Sequence, residues 1–339
     1  DLFGRIRRSI EAATAEIGSQ EALRNGVVTA VLGRVARAYM DLRGAQTRLD
    51  VAQRNVAVQQ QTLELVTLLN TEGAATELDV ARARTLLLTS QATIPSLEAQ
   101  ATGALNRLTT LTARPPGALN ARLAAHAPLP AMPGFVALGT PADLLRRRPD
   151  VLAAERRLAA ASAQIGVATA DLFPTVSFGA RVGVGAAPLS GLASAGAPFF
   201  GLGPAVSWNL FDREAIYARI RQQDSAAAAN MARYEAAVTT ALEEVDSAVS
   251  AWLNERDRRA QLQAARDASQ RARELALLRY REGVEDFLTV LDAERSLLLI
   301  EDQLAQSEIN LAQQLINIYL ALGGGWETGT APPYQPYSP

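Results

Sequence analysis

Apolar residues recur along the first part of the chain at intervals of seven: Val28, Val35, Leu42, Leu49, Val56 and Leu63. No proline falls between Gly4 and about Asn70, so the row predicts one long helix carrying a coiled-coil seam. A helix of roughly 65 residues extends on the order of 100 Å, a rod that few globular domains need. The same spacing returns in Val290, Leu297, Leu304, Leu311 and Ile318. Beside that row Glu294, Glu301 and Glu308 form a charged line expected to face solvent. Arg213 to Glu282 is another proline-free run, with Val238, Val245 and Trp252 marking its buried side. A fourth helix is predicted from Leu78 to about Thr112, with a kink or break at Pro95.

These helices fall into two similar units. Leu2-Phe3-x-Arg5 matches Leu210-Phe211-x-Arg213. Glu72-Gly73 followed by Leu78, Val80, Ala83, Leu87 and Leu88 matches Glu282-Gly283 followed by Leu288, Val290, Ala293, Leu297 and Leu298. One internal repeat of helix, glycine-containing turn and returning helix therefore accounts for nearly the whole chain.

Between the units the period changes from seven to two. Val176, Phe178, Ala180, Val182 and Val184 alternate with Thr175, Ser177, Gly179, Arg181, Gly183 and Gly185. After a turn-rich segment from Pro188 to Pro198, Phe200, Leu202, Val206, Trp208 and Leu210 alternate with Gly201, Gly203, Ala205, Ser207 and Asn209. Thirty residues from Val182 to Phe211 carry no charge, a length that would suit a membrane helix. The glycines and Pro188, Pro198 and Pro204 exclude one. Two strands of about ten residues with an apolar face and a small or polar face are the pattern of a transmembrane β-barrel hairpin. Phe199, Phe200, Trp208 and Phe211 are expected at the membrane interfaces. The competing reading is a soluble hairpin packed on the helices. Pro204 predicts a bulge, because a closed barrel has no edge to excuse a missing donor. Two strands cannot close a barrel, so partner strands must come from outside this segment and oligomerisation follows.

Composition removes other classes. The 339 residues include no cysteine and one histidine, His126, in a proline-rich stretch where a solvated loop side chain is expected. Disulfides, thiolate chemistry and multi-histidine metal sites are therefore excluded, and no cofactor is expected. Net charge is -2, and all 33 basic residues are arginine. This balance gives no reason to expect nucleic acid as a partner; the Arg146-Arg147-Arg148 cluster is expected to be a solvated helix start. No nucleophile, base and oxyanion donor can be assembled, so an enzyme is not expected.

Three motifs then carry a family resemblance. Leu145-Arg146-Arg147-Arg148-Pro149-Asp150-Val151 with Glu155-Arg156-Arg157-Leu158 and Asp171-Leu172-Phe173-Pro174 resembles the opening of the second repeat of TolC-like outer-membrane factors. Arg279-Tyr280-Arg281-Glu282-Gly283 with Leu288 to Arg295 resembles that family's second hairpin tip, and Leu320 to Trp326 its C-terminal ending. The nearest group is the NodT or OprM-like lipoproteins of resistance-nodulation-division efflux systems. The alternative kept beside it is a soluble coiled-coil scaffold.

The resemblance implies a mainly α fold with a β-hairpin. Long antiparallel helical hairpins would form a periplasmic tunnel, and each protomer of a homotrimer would give four strands to a twelve-stranded barrel in the outer-membrane lipid. It implies a passive exit duct whose partners are a periplasmic adaptor and an inner-membrane pump. Along the chain it implies the end of a barrel strand at 1–3, a helical hairpin at 4–112 with its tip at 70–78, and a connecting segment at 113–140. Helices at 141–172 would open the second repeat, followed by the membrane hairpin at 173–212 with an extracellular loop at 188–198. The second helical hairpin spans 213–322 with its tip at 281–287, and a tail occupies 323–339.

By motif position Asp79, Leu288 and Asp292 are the implied constriction, Tyr280 and Arg281 the tethers between hairpins, and Gly73 and Gly283 the tip turns that meet the adaptor. Leu288 and Asp292, four apart, would share a helix face. From spacing alone, Leu288 reads equally as coiled-coil core and the acids as a solvated face. Asp1 to Arg5 carries no targeting signal. On this resemblance the chain opens at the tail of the family's second strand; the first strand pair and the lipid-bearing cysteine of such lipoproteins are not among these residues, so lipid anchoring is not read from them.

Overall fold

The computed structural model describes residues 1–130, 147–184, 198–209 and 211–324. In chain order the elements are α1 (Arg5–Thr71), α2 (Glu77–Leu111), α3 (Asn120–Leu123), α4 (Pro149–Ala170), β1 (Thr175–Val184), β2 (Pro198–Ser207), α5 (Arg213–Arg281) and α6 (Phe287–Ala321). The four long helices lie within a residue or two of where the proline-free runs and heptads place them. The chain divides into two compact units, one of Asp1–Gly26 with Leu145–Ala241 and one of Val27–Leu144 with Leu242–Pro339. Among the described residues no helix is long and apolar enough to cross a membrane.

In the second unit the C-terminal heptads are largely buried, Leu304 being the half-buried exception. Val290, Leu297, Leu311 and Ile318 are buried and Trp252 packs with Leu311, Leu315 and Ile318. The N-terminal row is only half-buried apart from Leu42, and Val28 is exposed. Leu42 joins Ala38, Leu105, Leu108 and Leu119 in a core between α1, α2 and the start of α3. The helix α2 is not interrupted at Pro95. Pro95 and Gln91 are both exposed, so the Gln91 carbonyl that loses its partner can be hydrated, and Leu86, Leu87 and Leu97 hold the helix by burial on either side.

The glutamate row is a second correction: it faces neighbouring helices instead of solvent. Glu308 pairs with Arg259 at 2.8 Å, Glu301 with Arg266 at 3.7 Å and Glu294 with Arg273 at 3.5 Å. Each step moves seven residues back along α6 and seven forward along α5, and the next step is the Tyr280–Phe287 ring pair at 5.4 Å. An antiparallel heptad register thus runs to the hairpin tip. From α1, Asn55 donates to Glu301 at 3.0 Å and Thr62 to Glu294 at 2.8 Å.

In the first unit α4 packs on the start of α1 through small residues. Ala12, Ala15, Ser19 and Ala22 are buried, and the Ser19 hydroxyl donates to the Ala153 carbonyl at 3.3 Å. Arg148 is buried rather than solvated and grips Asp150 side-on at 3.0 and 2.6 Å, at the first turn of α4. Burial alone would raise the Asp150 carboxyl; hydrogen bonds and charge from Arg148, with the Val151 amide, outweigh it and hold the carboxyl below its ordinary value.

Strands β1 and β2 pair antiparallel from Thr175↔Ser207 to Val184↔Pro198. The register passes Phe178↔Pro204 without an inserted residue, so the expected bulge is absent.

Candidate functional site

Two places in the fold answer to the candidate residues: the paired helix tips of the second unit and the strand hairpin of the first.

Each tip is closed by the same backbone device. In the first, the Gly73 amide donates to the Asn70 carbonyl and the Ala74 amide to that of Leu69; in the second, Gly283 donates to Tyr280 and Val284 to Arg279. This crossed pair of bonds satisfies the last carbonyls of a helix and needs a left-handed residue at its centre. Gly73 has φ +77° and Gly283 φ +71°, which explains glycine at both positions.

The returning helices start on mirrored caps. Thr76 caps α2 and Asp79 completes the box, its carboxylate accepting the Thr76 amide at 3.1 Å. Asp286 caps α6 and accepts the Thr289 amide and hydroxyl, both at 3.1 Å. Threonine and aspartate have exchanged places between the two tips. Asp79, expected at a constriction, therefore has its carboxylate engaged within its own helix end, with Arg82 a further 3.9 Å away.

Beneath the caps lies one core: Val66, Val80, Ala83, Leu86, Ala276, Phe287, Val290 and Leu291. Leu288 is not part of it. Its side chain is 41% exposed, and Asp292, one turn on, is exposed too. The two share an outward strip, as their spacing predicts, and the coiled-coil-core reading of Leu288 does not hold within the protomer.

Tyr280 is half-buried against Phe287, and its buried hydroxyl has no hydrogen-bond partner among the described residues. Burial, followed by the negative charge of Asp79 on the other tip, pushes its pKa up. Arg281 is exposed and forms no ion pair among the described residues. Glu294, seven residues beyond Phe287, is 5% exposed. Burial raises its pKa against the opposing effects of Thr62 and Arg273. Charge patterning alone had not marked it, because a heptad-spaced glutamate reads the same on a wet face and in a polar seam.

The strand register puts Val176, Phe178, Ala180 and Val182 on one face with Val206, Pro204, Leu202 and Phe200. This face is bare: Phe178 is 72%, Val182 86% and Phe200 82% exposed. Such a surface is what a lipid-facing hairpin presents, and the soluble alternative, packed on helices, would have covered it. Trp208 is exposed with its indole N–H donating to the Leu172 carbonyl at 3.1 Å, and Phe211 is wholly exposed. The Phe199 side chain, the loop at 188–197, the segment 131–146 and the tail beyond 324 lie outside the described residues. At the foot of the hairpin Phe3 stacks on Phe173 at 4.8 Å, and Arg5 approaches Asp171 at 3.4 Å.

Among the described residues no group of acids and histidine could hold a metal. His126 is exposed.

Comparison with known proteins gives the family. Residues 1–114 and 140–324 match the family described as outer membrane efflux protein. The chain is 33% identical to outer membrane protein OprJ of Pseudomonas aeruginosa, over 97% of the chain and 68% of that protein. It is 32% identical to the toluene efflux pump outer membrane protein TtgF of Pseudomonas putida, over 98% and 69%. Among solved structures it superposes on the outer-membrane channel OprN with a TM-score of 0.89 at 42% identity, covering 96% of this chain and 73% of that one. It superposes on VceC of Vibrio cholerae with a TM-score of 0.85 at 25% identity, covering 96% and 78%. The chain belongs to the outer membrane efflux protein family: it is the outer-membrane channel of a Gram-negative efflux system, its long helices periplasmic, and it is not an enzyme.

Proposed function

We propose that the protein works as a homotrimer, in which β1 and β2 join strands from the rest of the protein and from two neighbours in one closed twelve-stranded barrel, while the helices line a periplasmic tunnel. The bare apolar face of the hairpin supports this, since a bilayer tolerates no open sheet edge. The two helical hairpins are an internal repeat on this reading; the matching glycine turns and exchanged caps support it. A periplasmic adaptor and an inner-membrane pump of the resistance-nodulation-division type are its partners, with the adaptor meeting the turns at Gly73 and Gly283. Relatives named for toluene, pyoverdine and antibiotic export share about a third of this sequence. The duct accordingly conducts passively whatever small molecules its pump delivers.

The gate lies at the tips, and the observation that carries it is the exposed strip of Leu288 and Asp292 beside a fully buried core. Around a threefold axis that strip forms a leucine collar and a carboxylate ring, which oppose passage until the tips move. Tyr280 and Arg281 tether the hairpins, and Asp79 holds the neighbouring tip in shape while contributing its charge. Replacing Leu288 and Asp292 with alanine and asparagine raises single-channel conductance of the trimer in planar bilayers. Unchanged conductance and ion selectivity would remove the gate assignment.

A further inference from the structure

Between Asp171 and Asp212 the chain carries a single charged residue, Arg181. Its place in the hairpin is defined by the register. It sits opposite Gly201, on the face that also holds Thr175, Ser177, Gly179 and Gly183 from β1 and Ser207, Ala205, Gly203 and Phe199 from β2. The other face is the bare apolar one. An arginine near the bilayer would be costly on the lipid side, and here it occupies the side away from the bare apolar face, with glycines beside it at Gly179, Gly201 and Gly203.

The space around it is open. A side-chain carbon added at Gly179, Gly201 or Gly203 would meet no atom within 4 Å. The Arg181 side chain is exposed, and among the described residues no carboxylate pairs with it. A guanidinium keeps its charge at any physiological pH. Six residues along the strand from Thr175, it stands about 20 Å beyond the strand's start.

We propose that Arg181 is a selectivity-determining residue: three copies project into the barrel interior as a positive ring that favours anions and anionic solutes. The inference rests on the trimeric barrel proposed above. It adds a fixed positive charge in series with the acidic collar proposed at the tips, so a permeating ion meets barriers of opposite sign in turn. The ring acts over about one Debye length, roughly 10 Å at 0.1 M salt and about 3 Å at 1 M. In a wide pore its influence is therefore strong in dilute salt and fades in concentrated salt.

The test is reversal-potential measurement on the full-length protein in planar bilayers under a potassium chloride gradient. The anion-over-cation permeability ratio is expected to fall about two- to threefold in Arg181→Gln and further in Arg181→Glu, to be kept in Arg181→Lys, and to show smaller differences at high salt. These 339 residues contain no cysteine, so Arg181→Cys introduces one thiol here that can be modified on an inserted channel. An ammonium-bearing thiol reagent should restore the ratio and a sulfonate-bearing one should lower it, with no refolding between readings. Equal selectivity across the charge series, in channels that conduct, would overturn the proposal while leaving the barrel intact. A wild-type protein that forms no conducting pore would instead overturn the barrel, and this inference with it.

Discussion

Thr76 and Asp79 hold each other at the start of α2: the Asp79 carboxylate accepts the Thr76 hydroxyl at 2.7 Å and its amide at 3.1 Å, and the Asp79 amide donates back to the hydroxyl at 3.3 Å. The acid that family position assigns to a constriction is thus also a structural residue, and a conductance change in an Asp79 variant would mix the two roles. Amide exchange separates them. Thr76→Ala and Asp79→Ala should each cost about 1 kcal/mol locally and speed exchange at the first turn of α2 about fivefold. The double variant should look like either single one, because the bonds are shared. Additive effects would mean that the box is not the unit holding the turn.

Asp286 offers the control. It caps α6 through Thr289, so Asp286→Asn, which keeps an accepting oxygen, should leave the helix start ordered. Asp286→Ala should speed exchange of the Thr289 amide by a similar factor. Equal protection in both variants would count against the cap.

Glu294 has the opposite pH signature from a surface salt bridge. Its folded pKa is raised, chiefly by burial, so the folded protein keeps that proton to higher pH than the unfolded chain does. The stability it contributes is full below the unfolded carboxylate pKa and is lost as pH rises through the folded value. The thermal midpoint of Glu294→Gln relative to wild type should therefore climb from acid to neutral pH. A flat or falling difference would mean that the pairing with Arg273 outweighs desolvation.

Asp150 runs the other way. Held down against burial by Arg148, it contributes stability that is present above the unfolded pKa and lost as pH falls through the lower folded one. Asp150→Asn should match wild type in strong acid and fall behind by about 1 kcal/mol at neutral pH. The figure is small because half of the Asp150 side chain is in water and its charge is screened. An equal deficit at every pH would assign the effect to helix capping alone.

The sequence showed the long helices because proline-free runs and Leu or Val heptads have a length and a period. It showed the hairpin because alternation with glycine and proline fits no helix. It hid the packing of the first unit, where Ala12, Ala15, Ser19 and Ala22 form the buried stripe. Small residues carry little hydropathy contrast, yet they allow close helix approach. The Glu294, Glu301 and Glu308 row was misread for a related reason: its partners Arg273, Arg266 and Arg259 keep the same period on a different helix. At the tips Gly73 and Gly283 were legible as turns, whereas the engagement of Asp79 by Thr76 depends on rotamers that spacing does not encode. Leu288 has the same spacing at a core position and an outward one, and only the packing of the tip, which buries Phe287, Val290 and Leu291 instead, separates them.

Arg43 was invisible as a functional residue, and it anchors the segment that follows α2. Its buried guanidinium donates to the Ala125 carbonyl at 2.8 Å and to Gln46 at 2.7 Å, and lies over the Tyr39 ring at 5.2 Å. Gln46 in turn donates to the Leu123 and Ala124 carbonyls at 2.9 and 3.2 Å. These carbonyls end α3, where a helix leaves acceptors without partners. Arg43 and Gln46 together replace the missing donors, and the positive charge suits that helix end. Arg43→Ala should cost about 1.5 to 3 kcal/mol, since these buried and half-buried acceptors lose a charged donor. Arg43→Lys should recover only part: all of these bonds leave one nitrogen, Nη1, which a three-donor ammonium can imitate, but the planar stacking over Tyr39 is lost. Limited proteolysis reads the outcome: cleavage between residues 113 and 130 should accelerate in Arg43→Ala, while cutting elsewhere stays unchanged. If the segment remains protected, its attachment to α1 rests on the burial of Leu119 against Leu42 and Leu105 rather than on the arginine.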